Sequence, residues 1–182
     1  ALPISAAGGD AVAVIGYLDQ GGKGIIQGSI DSGAFDTFIL SDGMIGQSLV
    51  DAFGKDLSKS FGSLPGSTGK GAGVFATVAK AAGIDSSGPY TGESYDAAAL
   101  IVLAIQAGGS ADRGSIAKNV MAVANGPGKK IYPGQLKKAL NLLAKGKAVD
   151  YEGATAVNFT VVGEAVGSFL EKEVNGGKFN TK

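Results

Sequence analysis

Asp42 stands directly after an apolar run, Thr37-Phe38-Ile39-Leu40, in a Ser41-Asp42-Gly43 turn. In open α/β sheets, ligands bind beyond the carboxyl ends of the strands. A carboxylate at such a position would hold a ligand ammonium through a charge-assisted hydrogen bond. Tyr17 occupies the same kind of position after the run Ala11–Ile15 and Gly16. If the two runs are neighbouring parallel strands, a phenol and a carboxylate share one sheet edge. The plainer alternatives are an Asx turn or helix cap for Asp42, and a packed aromatic with a wet hydroxyl for Tyr17. Tyr90 follows Pro89 in a loop, where an exposed aromatic would cover a ligand. Ser94 or Glu93 is expected to cap the helix that follows, and Tyr95 and Asp96 at its start read as structural.

Composition removes other chemistries. The 182 residues contain no Cys, no His and no Trp. Without Cys there is no disulfide and no thiol nucleophile, and without His the common Ser-His-Asp site lacks its base. A structural zinc site needs Cys or His in most of its forms, so none is expected, and no metal or cofactor is assigned. General acid–base work would fall to carboxylates, Lys or Tyr, and no Ser-Lys pair stands at a motif spacing. The chain therefore reads as a binder and not an enzyme. Lys+Arg 16 balances Asp+Glu 16, and a pI near 6.5 argues against bulk nucleic-acid binding.

Two charged features remain. Between Arg113 and Lys147 lie eight basic residues (Arg113, Lys118, Lys129, Lys130, Lys137, Lys138, Lys145, Lys147) and no acid. This segment reads either as a docking face for an acidic partner or headgroup surface, or as the solvated outer faces of two helices. The Gly/Ser/Lys stretch at 66–73 fails as a phosphate loop. Leu64 stands where the first Gly is needed, and Gly71 follows Lys70 in place of Ser or Thr.

These residues need elements to hold them. The continuous apolar run at 11–15 predicts a strand buried on both faces, the run at 37–40 a second apolar strand, and a third strand is expected near 59–63. Helical spacing at 20–32 and 45–53 fills the gaps, giving the βαβ alternation of an α/β fold. A Gly/Ser/Pro loop at 64–73 marks a change of style. From about 73 to 146 the pattern predicts only helices: 73–83, 93–107 (apolar nearly all round, hence buried), one around Ile116–Val123, and one around Leu136–Leu143. Strands are expected near 157–161 and 169–174, and the tail from Asn175 is expected to fray. No apolar run approaches a membrane span. The segment ALPISAAGGD has neither a basic start nor an apolar core, so no signal peptide is expected in this chain.

Five stretches carry a resemblance: DAVAVIGY (Asp10–Tyr17), FILSDGM (Phe38–Met44), SGPYTGESYDAAAL (Ser87–Leu100), PGKKIYPGQLKKAL (Pro127–Leu140) and DYEGAT (Asp150–Thr155). In this order they resemble the C-terminal half of periplasmic amino-acid-binding proteins of the leucine/isoleucine/valine type, the receptors of ABC importers. The resemblance implies part of a two-lobed, type 1 periplasmic-binding clamshell, with parallel sheets flanked by helices. It implies that 1–64 belongs to the C-terminal lobe, 65–150 to the N-terminal lobe, and 151–182 to strands crossing back. The family's ligand-facing Tyr falls on Tyr17. Its ammonium-binding acid falls on Asp42, where the branched-chain receptors have Glu. The aromatic after Gly-Pro falls on Tyr90. The family's carboxylate-gripping residues lie in the upstream half, to which nothing here corresponds.

The implied function is a periplasmic receptor that binds an amino acid, branched-chain or a similar small amine, and delivers it to a membrane permease. The implied partners are the ligand, the permease and the missing N-terminal half of the same protein. The alternative is a ligand-sensing regulatory domain of the same fold, recognising an amide, urea or amino acid.

Overall fold

The computed structural model describes residue 4 and residues 6–182. They form two compact units. The first comprises the described residues up to Pro65 together with Phe169–Lys182, and the second is Gly66–Ser168.

The first unit begins with β1 (Val12–Val14), α1 (Lys23–Ser32), β2 (Phe38–Leu40), α2 (Gln47–Phe53) and β3 (Phe61–Pro65). These three strands are parallel, with Val14 opposite Leu40 and Ile39 opposite Phe61. Here the βαβαβ expectation meets the structure. Gly33 ends α1 at φ 64, a left-handed conformation that glycine adopts without a Cβ penalty. The core joins Val14, Phe38 and Leu40 of the sheet to Ile26 of α1 and to Leu49 and Val50 of α2. Both helices thus cover one face. On the other face Ala13, Ile39 and Phe61 are exposed. This corrects the expectation of two buried faces, because a continuous apolar run records the character of the residues and not the presence of a second layer.

Two antiparallel strands, β8 (Phe169–Asn175) and β9 (Lys178–Thr181), complete this sheet, whose order is β1-β2-β3-β8-β9. β8 pairs with β3, and β9 pairs with β8. The tail expected to fray is therefore an ordered strand. Gly176 and Gly177, at φ 60 and 75, form the two-residue turn between them, the geometry that matches the twist of a hairpin.

The second unit holds α3 (Lys70–Ala81), α4 (Thr91–Gly108), α5 (Arg113–Ala124), β4 (Lys129–Ile131), α6 (Leu136–Leu143), β5 (Val149–Tyr151), β6 (Asn158–Phe159) and β7 (Ala165–Val166). β4 and β5 are parallel and joined by α6, a second βαβ unit. So the stretch expected to be all helix contains a strand. Of Lys129-Lys130-Ile131 only Ile131 is buried, which left no alternation to read. The core gathers Leu100 and Leu103 of α4, Val123 of α5, Ile131, Ala139, Val149 and Tyr151. α4 exposes Ile101 and Val102, so it is buried on one side and not all round. Residues 151–168 stay in this unit because β5 pairs with β4 and the loop after it is bound to α4. The chain re-enters the first unit at Phe169, not at 151.

Candidate functional site

The parallel register of β1 and β2 brings the ends of both strands together. The Ser41 amide donates to the Val14 carbonyl at 3.2 Å, extending the ladder by one residue. The Ser41 hydroxyl then accepts from the Gly16 amide at 3.2 Å and lies 3.3 Å from the Gly16 carbonyl, to which it donates. Asp42–Met44 makes a single 3-10 turn, with the Met44 amide on the Ser41 carbonyl. Within it, the Gly43 amide donates to Asp42 Oδ1 at 2.8 Å, so Asp42 does make a local turn contact of the kind the plainer reading describes. Gly43 has no room for a side chain. A Cβ there would collide with the Gly16 carbonyl oxygen and lie 2.8 Å from Tyr17 Cδ1. The Tyr17 ring therefore lies against the backbone next to Asp42. It is 61% exposed, and Asp42 is half-buried.

The structure thus brings Tyr17 and Asp42 together at the carboxyl ends of adjacent parallel strands. The arrangement presents a carboxylate and an aromatic face side by side, which suits an ammonium next to an apolar group. Sequence reasoning took Ser41 only as a turn residue. Its bridging role depends on Gly16, 25 residues away, and nothing local announces it.

Tyr90 belongs to the second unit. It is the residue preceding α4, at φ 61 and ψ 10, a left-handed conformation uncommon outside glycine, asparagine and aspartate. Its carbonyl accepts from the Ser94 amide at 2.9 Å, opening the helix. The cap is therefore Tyr90, and neither Ser94 nor Glu93. The loop leading to it is tied down. Asp85 Oδ1 accepts from the Ser87 amide and hydroxyl at 2.9 and 2.7 Å, bonds that hold the Asp85 carboxyl below its usual range. The Thr91 hydroxyl contacts the carbonyls of Ser86 and Gly88 at 3.0 Å. Tyr90 is 37% exposed.

One turn into α4, Asp96 is 2% exposed and anchors the loop after β5. Its Oδ1 accepts from the Tyr151 hydroxyl at 2.9 Å and the Ala154 amide at 2.8 Å. Its Oδ2 accepts from the Ala154 amide at 3.0 Å, and from the Thr155 amide and hydroxyl at 2.8 Å. Gly153, at φ 58, is where the loop turns, and a Cβ there would strike this carboxylate. Burial, and then the Asp96 charge, push the Tyr151 phenol far above its ordinary range. The Tyr95 hydroxyl accepts from the Gly134 amide at 2.9 Å. Both residues are structural: they fix the start of α4, and hence Tyr90, against the carboxyl ends of β4 and β5. Among the described residues, no group of three or more Asp or Glu side chains is placed to hold a metal ion.

No protein-family profile matches the chain. Over 95 residues it is 33% identical to the chemotactic signal transduction system substrate-binding protein BasB of Halobacterium salinarum, covering 52% of this chain and 23% of that protein. Its fold matches the leucine-binding protein LivK of Thermotoga maritima with a TM-score of 0.69 at 19% identity, over 100% of this chain and 45% of that one. It matches a periplasmic binding protein type 1 of Bordetella pertussis with a TM-score of 0.61 at 19% identity, over 95% and 46%. The chain therefore has the type 1 periplasmic-binding fold, resembles the C-terminal half of such proteins, and spans less than half the length of the relatives it matches. All three are binding proteins, not enzymes, as composition led one to expect for this chain.

Proposed function

We propose that this chain is part of an extracytoplasmic receptor that binds a small amine, with an amino acid as the leading class, and hands it to a membrane permease of the ABC type. The observation that carries the reading is the pairing of Tyr17 and Asp42 beyond the ends of β1 and β2. Asp42 would receive the ligand ammonium, and Tyr17 would flank its side chain. The resemblance also implies a ligand contact from Tyr90, which a bonded loop holds in a left-handed conformation. The remainder of the protein would supply the groups that grip the ligand carboxylate.

The test is calorimetry on the full-length protein with a panel of amino acids, amides and aromatic acids. Removing one partner of a desolvated charge pair costs about 3–5 kcal/mol. Asp42→Ala is therefore expected to weaken binding of the best amine by two orders of magnitude or more. An unchanged affinity, or a best ligand that is an acid without an amine, overturns the assignment.

The similarity to a chemotaxis protein favours a second reading, in which the same receptor reports its ligand to a signal transducer. Deleting the gene separates them. Loss of uptake of labelled ligand supports the permease, and loss of the chemotactic response with uptake intact supports the transducer.

A further inference from the structure

In the second unit, three lysines and an apolar hairpin meet at one end of the β4–α6–β5 motif. The strands are parallel, with Lys129 opposite Val149, and the Lys129 amide donates to the Ala148 carbonyl at 3.2 Å. Lys129 thus opens β4 beside Lys147, two residues before β5. α6 runs back to this same end, and the amides of Lys145 and Lys147 both donate to the Leu142 carbonyl at 3.0 Å. All three lysines are exposed, and among the described residues none takes part in an ion pair. Lys130 differs, since it is paired with Asp150 and Glu152.

The hairpin is fixed to the same end. Asn125, four residues before Lys129, grips the Phe159 backbone twice: its Nδ2 donates to the carbonyl and its Oδ1 accepts from the amide, both at 2.8 Å. Beyond Phe159, the hairpin tip carries Val161 and Val162, 96% and 76% exposed. The Thr160 amide on the Glu164 carbonyl at 2.8 Å, and the Gly163 amide on the Thr160 carbonyl at 2.9 Å, hold the tip in shape. Two adjacent valines at a rigid, solvated tip have no folding role here. Glu164 is the one acid of the hairpin.

We propose that this end of the second unit docks reversibly on an anionic lipid surface, the lysines reading the headgroup charge and the valine tip entering the interface. Lysine is a point charge that needs no shaped partner, whereas shaped protein interfaces favour Arg, Tyr and Trp, which are absent from this cluster. A basic cluster beside an apolar tip matches a bilayer, which offers charge above and apolar depth below. The position also leaves the ligand residues alone. Tyr90 and its structural anchor Asp96 sit by the carboxyl ends of β4 and β5, and the lysines sit at the amino ends. The inference rests on the receptor working beside a membrane, but not on the identity of its ligand.

Val161→Trp in the full-length protein adds a reporter at the tip, read as the difference in emission from the unmodified protein. With vesicles of phosphatidylcholine and phosphatidylglycerol, its emission is expected to shift to the blue and the unmodified protein to co-sediment. With phosphatidylcholine alone neither is expected. Each lysine near such a surface is worth about fivefold in partitioning, so Lys129→Glu, Lys145→Glu and Lys147→Glu together reduce binding by about 100-fold or more. Salt near 1 M shortens the screening length to about 3 Å and releases the protein. Amino-acid affinity of the triple variant stays at the unmodified value, which separates this test from that of the receptor reading. The proposal is overturned if neither vesicle binds, if both bind equally, or if the triple variant binds as before. It is also overturned if soluble polyglutamate captures the protein while anionic vesicles do not, the result that identifies an acidic polypeptide as the partner.

Discussion

Asp96→Asn tests how the second unit holds its loop. The substitution keeps the size of the side chain and removes one acceptor. If the remaining oxygen stays at the Oδ1 position, the Tyr151 hydroxyl and Ala154 amide keep their partner. The new amide nitrogen then faces the Thr155 amide, a donor against a donor. The Thr155 hydroxyl can rotate to accept, but its neighbouring backbone N–H cannot. The variant therefore loses one charge-assisted bond, about 1.5–3 kcal/mol, and the charge that strengthens the others. A total of about 2–4 kcal/mol is expected. Asp96→Ala leaves every one of these donors without its acceptor and is expected to cost about 3–5 kcal/mol, with water reaching the half-exposed Thr155.

Urea unfolding measures the totals, and amide hydrogen exchange locates them. The Ala154 and Thr155 amides should lose protection first, ahead of the β4–β5 ladder. Among the described residues Asp96 makes no ion pair, so its buried carboxylate carries a desolvation cost, and the reasoning holds only if its hydrogen bonds outweigh that cost. An Asn variant as stable as the original, with these two amides still protected, refutes it.

Tyr151 gives the second prediction. Unfolded tyrosine ionises near pH 10, while burial and then the Asp96 charge raise the folded phenol well above that. Above about pH 10 the unfolded chain releases a proton that the folded chain keeps, so this residue lowers stability by about 1.4 kcal/mol per pH unit. Tyr151→Phe should remove that increment from the alkaline slope, and identical slopes in urea titrations of the two proteins would contradict the burial. Gly43→Ala is the third. Its methyl meets the Gly16 carbonyl and the Tyr17 ring, so overpacking costs about 1–3 kcal/mol. Calorimetry should show weakened ligand binding as the two strand ends part, and thermal unfolding should show the stability loss. Full stability and affinity together would show that the strand ends can shift freely.

The site was legible where a general rule linked distant residues. Parallel strands align their carboxyl ends, so two apolar runs sufficed to pair Tyr17 with Asp42. The bridge made by Ser41 was not legible, and Asp96 was legible as structural but its partners were not. Their partners lie 25 residues away in one case and 55–59 in the other, and sequence shows no register between them. β4 was missed because two of its three residues are exposed lysines. β9 was missed because the tail is polar, although Gly176-Gly177 is itself a hairpin-turn signal that could have found it.

The three parallel strands carry a further argument. Val14, Phe38 and Leu40 meet the helices, whereas Ala13, Ile39 and Phe61 lie on the bare face. A sheet with one wet face alternates apolar with polar residues, and one covered on both faces does not. β1 and β2 do not alternate, and β3 does so only in part, with Ser63 beside Phe61 on the exposed face. Their composition is that of a sheet with layers on both sides, whereas α1 and α2 provide a layer on one. The chain also spans 45% of the length of the leucine-binding protein whose fold it matches. Both observations fit a receptor in which the remaining polypeptide covers the second face. If so, the full-length protein buries Ile39 and Phe61, and Ile39→Ser should destabilise it by the roughly 1.5–3 kcal/mol of a buried aliphatic side chain. In this chain alone, where Ile39 is 40% exposed, the same change should cost less.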